Sequence, residues 1–119
     1  MNAKVGRMTD DRARKSTVNH YQPIVAALCR AAGWPEPVAE QRLVPGRRFS
    51  CDLVWPEARL VVEVQGGVWL RRGGHMGGQA QIDDMEKLNL VQLEGYRVLQ
   101  ITPQQVTNGV LRVLLSRVL

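Results

Sequence analysis

The clearest pattern of apolar and polar positions lies in the middle of the chain. Over residues 47–55 and again over 60–65, apolar side chains alternate with other residues, which predicts two strands. Pro56–Arg59 separates them and predicts a tight turn. A hairpin symmetric about Glu57 and Ala58 pairs residues whose numbers sum to 115. One face of the first strand is expected to carry Phe49, Cys51, Leu53 and Trp55, and the other Ser50 and Asp52.

The apolar and polar positions outside the hairpin predict further helices and strands, which together make an α/β fold. In chain order it predicts a helix over residues 18–32, a short strand over 38–44, the hairpin, a helix over 79–94, a strand over 96–101 and a helix from 103 onward. Thr102 is the expected N-cap of the last helix, and Asn108-Gly109 either kinks that helix or divides it. Its expected apolar face consists of Val106, Val110, Val113, Leu114 and Val118. This order predicts a mixed central sheet with an antiparallel meander, flanked by helices.

Length and composition indicate one globular domain. The chain has 119 residues, of which 45% are hydrophobic, so we expect a flexible basic arm over residues 1–17 and a single domain over 18–119. No apolar run is long enough to cross a membrane, and the N-terminus lacks the apolar stretch of a secretory signal. Cys29 and Cys51 form no metal-binding motif and are expected to be reduced, buried thiols, as in a cytoplasmic protein.

The charge points towards nucleic acid as a partner. The net charge is +5 and the pI about 9.9, with thirteen arginines and three lysines, a balance typical of proteins that bind phosphate backbones. Arg47, Arg48, Arg71 and Arg72 are the expected phosphate contacts. Ordinary exposed arginines are the alternative. The basic arm is either ordered on nucleic acid or a frayed terminus.

The predicted hairpin places two carboxylates opposite each other. The residue numbers of Asp52 and Glu63 sum to 115, so the two side chains are expected to face each other. Like charges in this position are unfavourable unless compensated, and Mg²⁺ is commonly held by one or two carboxylates together with substrate phosphate. The alternative is that Glu63 faces solvent on an edge strand.

A glycine-rich loop over residues 66–78 follows the hairpin and contains six of the eleven glycines. It is not a P-loop, because no Gly-Lys-Ser/Thr follows, and its glycine spacing does not match a dinucleotide-binding fingerprint. We expect a loop that closes on a phosphate backbone, with a disordered connection as the alternative. His75 within it either takes part in proton transfer near the scissile bond or orders the loop through a hydrogen bond.

Together these segments resemble a known nuclease superfamily. The stretch from Glu40 to Asp52, the Glu63-x-Gln-Gly-Gly-x-Trp segment and the Asp84-x-Glu-Lys87-x-Asn helix are similar to the PD-(D/E)XK nucleases. The similarity is greater to small phage-encoded endonucleases of the very-short-patch-repair-like and Holliday-junction-resolvase-like kind. It covers roughly residues 38–106, and it implies a restriction-endonuclease-like fold.

The resemblance implies hydrolysis of DNA phosphodiester bonds with Mg²⁺, for which Mn²⁺ can substitute. Asp52 and Glu63 then hold the metal, with the backbone carbonyl of Val64 as a further ligand. Glu40 matches an acidic position in similar sequences, where it either completes a second metal site or supports the ligands. Branched DNA such as a Holliday junction is a candidate substrate, and a homodimer is one option because a junction offers two symmetric strands.

The chain departs from the superfamily pattern at Gln65, where that pattern has lysine. Glutamine carries no positive charge, although it can hydrogen-bond a water or a neighbouring ligand. Lys87 is the only lysine beyond the N-terminal arm, so it is the expected replacement, stabilising charge on the phosphate. An exposed helix pair with Asp83 or Asp84 is its alternative.

Three functions therefore remain open from the sequence. The first is a metal-dependent DNA endonuclease. The second is a DNA-binding protein whose nuclease site has degenerated, and the third is a small α/β interaction domain without enzymatic activity. The apolar C-terminal residues either close the core or form a dimer surface. They are Leu114, Leu115, Val118 and Leu119.

Overall fold

The computed structural model describes residues 20–66 and 77–119. The predicted basic arm and most of the glycine-rich loop lie outside these ranges. In chain order the elements are α1 (residues 20–32), β1 (Val38–Gln41), β2 (Cys51–Trp55), β3 (Leu60–Val64), α2 (Gly77–Leu93), β4 (Arg97–Ile101), α3 (Pro103–Thr107) and α4 (Val110–Ser116). This is the predicted order of helices and strands, although α2 already begins at Gly77.

The strands form one mixed, open sheet in the order β1-β2-β3-β4. β1, β2 and β3 are antiparallel neighbours, whereas β4 runs parallel to β3 after the α2 crossover. Leu53 pairs with Val62 and Trp55 with Leu60. Each of these pairs sums to 115, so the predicted hairpin register is confirmed, and so is the α/β class with a mixed sheet.

One face of the sheet, here named the apolar face, is covered by α1, α3 and α4. Its buried residues are Leu53, Trp55, Leu60, Val62 and Ile101 from the strands, with Val25, Cys29, Val106, Leu111 and Leu115 from the helices. Burying one such aliphatic side chain contributes roughly 1.5–3 kcal/mol. This cluster is the larger of the two apolar clusters among the described residues, and its burial stabilises the fold.

The opposite face, here named the polar face, is covered by α2. Val54 and Val61 from the sheet pack there with Val91 of α2, and Cys51 and Val44 belong to the same cluster. Phe49 also packs against this cluster, so the prediction that Phe49 and Cys51 share a face with Trp55 is wrong. The reason is that strict alternation begins only inside β2, whereas residues 42–50 form an irregular connection.

The first two strands are shorter than predicted. β1 ends at Gln41, which pairs with Cys51 at the start of β2, and the chain between them turns at Val44, whose carbonyl accepts the Arg47 N–H at 3.1 Å. Glu40 has a φ of 58°, and this left-handed backbone interrupts the extended run near the end of β1. The predicted strand over residues 38–44 therefore extended too far towards the C-terminus, and the predicted strand over 47–55 began too early.

Asn108-Gly109 divides the C-terminal helix in two. Gly109 has a φ of 96°, a backbone conformation that favours glycine, and α4 restarts with a different rotation. Leu111 and Leu115 are consequently buried, whereas Val110 and Val113 are exposed, which corrects their predicted place on the apolar face. The terminal residues close the core, because Leu115 is buried in it and three others pack against it: Leu114, Val118 and Leu119.

The fold bears on membrane-spanning helices and on the two thiols. Within the described ranges, no helix has the length and apolar character needed to span a bilayer. Cys29 and Cys51 are both buried thiols, and they belong to clusters on opposite faces of the sheet. The expectation of reduced, buried cysteines is therefore confirmed.

Candidate functional site

The strand registers align a row of polar residues across the sheet. In the β1–β2 pair, Ala39 lies opposite Leu53 and Gln41 opposite Cys51, so the intervening Glu40 and Asp52 occupy facing positions. The β2–β3 register pairs Leu53 with Val62, and its continuation by one residue places Asp52 opposite Glu63. Glu63 in turn lies beside Gln100 of β4. Each strand thus contributes one polar residue at the same level of the sheet.

Asp52 and Glu63 are buried, with 2% and 4% of their surfaces exposed. The Asp52 backbone N–H donates to Glu63 Oε2 at 2.8 Å, and the Val64 N–H donates to Asp52 Oδ2 at 2.9 Å. Each carboxylate therefore accepts a hydrogen bond from the backbone of the neighbouring strand, which compensates part of its lost hydration. Glu63 lies on a central strand, so the solvent-facing alternative is wrong.

Lys87 reaches this pair from α2. Only 6% of its surface is exposed, and its Nζ lies 2.7 Å from Glu63 Oε1. Leu88 and Val91, on the same side of the helix, are buried. Because this side of α2 packs against the sheet, the Lys87 side chain points towards the strands. The alternative of an exposed helix pair with Asp83 or Asp84 is therefore wrong.

Glu40 is held in a strained and incompletely bonded state. Its left-handed φ of 58° costs a residue with a side chain roughly 1–2 kcal/mol. Ser50 Oγ donates to Glu40 Oε1 at 3.1 Å, whereas the buried Oε2 has no hydrogen-bond partner among the described residues. Strain and an unsatisfied buried oxygen in one side chain are features that recur at functional sites.

Gln65 does not bond the carboxylate pair. Its backbone N–H donates to Ile101 O at 2.7 Å, and its side-chain amide donates to Gln100 Oε1 at 3.1 Å. The pair of amides extends the polar row past Glu63 to the edge strand. The position where the superfamily pattern has lysine is thus occupied by a neutral hydrogen-bonding pair.

The expected phosphate contacts have different surroundings. Arg47 is paired with Glu86 at 3.1 Å and lies over the Phe49 ring, 5.1 Å from its centroid. Arg48 is exposed. Arg71, Arg72 and His75 lie outside the described residues. Of the two predicted arginines within the described ranges, Arg48 is therefore the one more readily available to a phosphate.

The donor atoms suit a hard cation, although they do not form a complete cage. Carboxylate and carbonyl oxygens are the ligands that Mg²⁺ and Mn²⁺ prefer. Over residues 20–66 and 77–119, no three or more histidine, cysteine, aspartate or glutamate side chains are grouped so that they could hold a metal ion. The Val64 carbonyl accepts the Gly66 N–H at 3.1 Å. A bound ion would therefore need water and substrate oxygens to complete its coordination.

Two members of the site were missed by the sequence reasoning. Gln100 is the single polar residue between Val98 and Ile101, and that isolation in an apolar strand was the signal that could have identified it. Ser50 carried no comparable signal, because its role depends on the backbone conformation of Glu40, which the residue pattern does not reveal.

No family model matches the sequence, and no curated protein or solved structure is significantly similar to it. The geometry of Asp52, Glu63 and Lys87 is therefore the basis on which a function can be assigned.

Proposed function

We propose that this protein is a metal-dependent DNA endonuclease with its site at Asp52, Glu63 and Lys87. The observation that carries the proposal is the buried Lys87–Glu63 contact of 2.7 Å beside Asp52. The pattern of the resembled superfamily likewise combines an aspartate, a glutamate and a lysine. In this chain the lysine comes from a helix, because the strand position holds Gln65.

The residues present fit a divalent cation in their chemistry. Asp52 and Glu63 would hold Mg²⁺ or Mn²⁺ with the Val64 carbonyl, and Glu40, whose buried Oε2 has no hydrogen-bond partner among the described residues, would support these ligands without joining them on the ion. A bound ion would neutralise charge on the phosphate and activate a water molecule. The incomplete protein cage is compatible with Mg²⁺, which keeps several waters and takes oxygens from substrate phosphates.

Lys87 performs two tasks in this proposal. Its ammonium group fixes Glu63 Oε1 and so orients the carboxylate. It also places a positive charge in a water-poor site, where it stabilises negative charge that develops on the phosphate oxygens more strongly than an exposed lysine does. Since no other lysine lies beyond residue 15, the rest of the domain offers no substitute ammonium group.

DNA is the proposed substrate on grounds of charge. The chain carries a net charge of +5, and Arg48 is exposed near the end of β2 that carries Asp52. Arg47 would have to exchange its Glu86 partner for a phosphate. Both side chains of that pair are substantially exposed, at 41% and 54%, so the exchange has a small energetic cost.

Cleavage assays on defined DNA test the proposal. We expect the purified chain to cut a labelled four-way junction, a linear duplex or a single strand in Mg²⁺ or Mn²⁺, and not in EDTA. Glu63→Gln and Lys87→Met should each reduce the rate by roughly 10²-fold or more. Glu57→Gln is the matched control, because Glu57 is an exposed glutamate in the turn of the same hairpin.

An unchanged rate in Asp52→Asn and Glu63→Gln would contradict the assignment, since the activity would then reside elsewhere or in a contaminant. A comparison of the junction with the duplex separates an enzyme for branched DNA from a general endonuclease. The variants should be checked by circular dichroism, so that loss of folding is distinguished from loss of chemistry.

A second candidate is a DNA-binding protein with a degenerate nuclease site. The observation in its favour is that Glu63 already uses both oxygens, one with Lys87 and one with the Asp52 N–H, while Gln65 is bonded to Gln100. A protein of this kind would bind DNA with a steep salt dependence. It would not cleave DNA in the presence of either Mg²⁺ or Mn²⁺. Binding without cleavage would therefore favour this candidate over the endonuclease.

A further inference from the structure

The row of polar residues changes from buried to exposed at its β4 end. Asp52 and Glu63 are inaccessible, whereas Gln65 is half-buried and Gln100 is exposed. Gln100 lies directly beside Glu63 in the β3–β4 register, and neighbouring strands are about 4.8 Å apart. At this end of the row, a ligand arriving from solvent therefore reaches the two glutamines next to the carboxylates.

Both glutamines lie on the polar face because of strand alternation. Val64 and Leu99 pack against the cluster on the apolar face, so the side chains of their neighbours Gln65 and Gln100 point to the opposite side. The Gln65 backbone N–H donates to Ile101 O at 2.7 Å, which extends the β3–β4 ladder one residue beyond Val64. The backbone thus fixes both amides on the same side of the sheet as the carboxylates.

The two side-chain amides share one hydrogen bond. Gln65 Nε2 donates to Gln100 Oε1 at 3.1 Å, and this contact uses one of the four N–H groups that two primary amides carry. Three N–H groups remain for a ligand, and this number is the same whichever of the two amides donates. The pair is therefore a neutral surface with a surplus of hydrogen-bond donors.

A phosphate oxygen fits this surface better than the edge of a base does. A phosphodiester offers only acceptors, which match the surplus of N–H groups, whereas base edges present donors as well as acceptors. Glutamine is among the side chains that contact DNA phosphates and so fix the position of the duplex on a protein. The position of the pair, one strand from Glu63, places such a contact beside the site of cleavage.

We propose that Gln65 and Gln100 form a neutral subsite for an oxygen of the phosphate that adjoins the scissile phosphate. The inference rests on the proposed function, because it takes Asp52 and Glu63 as the place where the phosphodiester is cut. Gln100 is then a substrate-binding residue that the resemblance did not indicate. Its hydrogen bond to Gln65 makes the two side chains act as one unit.

The subsite contributes to binding and not to the chemical step. The adjoining phosphate carries the same charge in the ground state and in the transition state, so a contact with it stabilises both equally. Such a contact lowers KM and leaves kcat unchanged. Because the amides are neutral, they also release no counterions from DNA, unlike a cationic contact such as Arg48.

Cleavage kinetics and DNA binding of Gln100→Leu test the subsite. We expect KM for Mg²⁺-dependent cleavage of a duplex to rise about fivefold or more, and the dissociation constant measured by fluorescence anisotropy in EDTA to rise similarly. The value of kcat and the salt dependence of binding should not change. Gln104→Leu is the matched control, because Gln104 is an exposed glutamine on α3, which covers the opposite face of the sheet.

Two further replacements separate phosphate binding from a purely structural role of Gln100. Glutamate keeps an oxygen that can accept the Gln65 N–H but has no donor for phosphate, whereas arginine keeps donors and cannot accept. The subsite predicts that Gln100→Arg binds DNA at least as tightly as the natural chain, with a salt dependence steeper by about one counterion. It also predicts that Gln100→Glu binds more weakly than Gln100→Leu. A structural role predicts the reverse order of the arginine and glutamate variants.

The proposal is overturned if Gln100→Leu has the same KM and dissociation constant as Gln104→Leu. It is also overturned if Gln100→Leu lowers kcat and leaves KM unchanged, because Gln100 would then act on the chemical step. Failure of the proposed function is distinguishable from these results. If the natural chain binds DNA without cutting it, the nuclease assignment fails and the anisotropy comparison alone decides whether the amides bind phosphate. A chain that neither binds nor cuts DNA overturns both.

Discussion

The two faces of the sheet use the same strands in opposite ways. On the apolar face, the side chains of Leu53, Val62 and Ile101 are buried among other apolar residues. On the polar face, the alternate positions of the same strands include Asp52 and Glu63, which are equally inaccessible, and Glu63 contacts Lys87. Period-2 alternation makes this division possible, because neighbouring residues in a strand point to opposite sides.

The two faces differ in how their buried side chains affect the stability of the fold. Apolar burial stabilises the fold directly, whereas each buried ion loses hydration at a cost of several kcal/mol that hydrogen bonds and the ion pair only partly offset. Apolar residues of similar volume at Asp52, Glu63 and Lys87 would stabilise the domain at least as well. A charged cluster at this position is therefore expected to be there for a reason other than stability.

The largest expected effect comes from breaking the ion pair on the polar face. Lys87→Met leaves the Glu63 carboxylate buried without its ammonium partner, so we expect the free energy of unfolding to fall by about 3–5 kcal/mol. Urea denaturation followed by circular dichroism measures this change.

The double variant Glu63→Gln with Lys87→Met is the control for that prediction. It removes both charges, while the oxygen of the introduced amide can still accept the Asp52 N–H, so it should be more stable than Lys87→Met alone. Equal stability of the two variants would show that lost packing of the lysine side chain, and not the loss of the ion pair, causes the destabilisation.

A second prediction compares adjacent residues on opposite faces. Val61 and Val62 are neighbours in β3 with no exposed surface, so Val61→Ala and Val62→Ala should each destabilise the domain by about 2 kcal/mol. Only Val61 lies on the face covered by α2. We therefore expect Val61→Ala to lower the cleavage rate of folded protein and Val62→Ala to leave it unchanged, as measured under conditions where both are folded. Equal rates would show that the site does not depend on the packing of α2.

A third prediction concerns the strain at Glu40. Glycine adopts the left-handed backbone without a steric cost, and Glu40→Gly also removes the buried oxygen that lacks a hydrogen-bond partner among the described residues. We expect this variant to be more stable by about 1 kcal/mol and to bind Mg²⁺ or Mn²⁺ more weakly. Thermal unfolding with and without metal measures both effects. A loss of stability would show that the Ser50 hydrogen bond outweighs the strain.

The smallest expected effect is a pH dependence of stability that arises from Cys29 on the apolar face. Burial raises the pKa of the Cys29 thiol, the contact with Trp55 lowers it, and the charge of Glu36 raises it further, with burial the largest of these. The folded protein therefore keeps this proton at a pH where the unfolded chain, with a thiol pKa of about 8.5, has lost it. The resulting stabilisation is complete below that pH and is lost as the pH rises through the raised pKa.

Urea denaturation at neutral and alkaline pH tests the thiol prediction. Other groups also titrate at high pH, so the informative quantity is the difference between the natural chain and Cys29→Ser. That difference should shrink as the pH rises. Parallel pH profiles would show that Cys29 makes no contribution to the alkaline loss of stability.

Much of the fold follows from local pattern, whereas the site follows only in part. The order of elements, the β2–β3 register and the pairing of Asp52 with Glu63 could be predicted because strand alternation and the Pro56–Arg59 turn are local features. The ends of β1 and β2 could not be predicted, because residues 42–50 form an irregular connection although their apolar pattern resembles that of a strand. The rotation of α4 could not either, because it depends on how Gly109 divides the helix.

The sequence by itself determined that two carboxylates face each other and that Lys87 is the only lysine available to them beyond the N-terminal arm. Tertiary structure alone decided that Lys87 turns inward onto Glu63 and that Ile82, Met85 and Leu93 face outward. The reason is that a helix with apolar residues on both sides has no preferred rotation until one side packs. Leu88 and Val91 pack against the sheet, and this packing both turns Lys87 towards Glu63 and leaves Ile82, Met85 and Leu93 exposed.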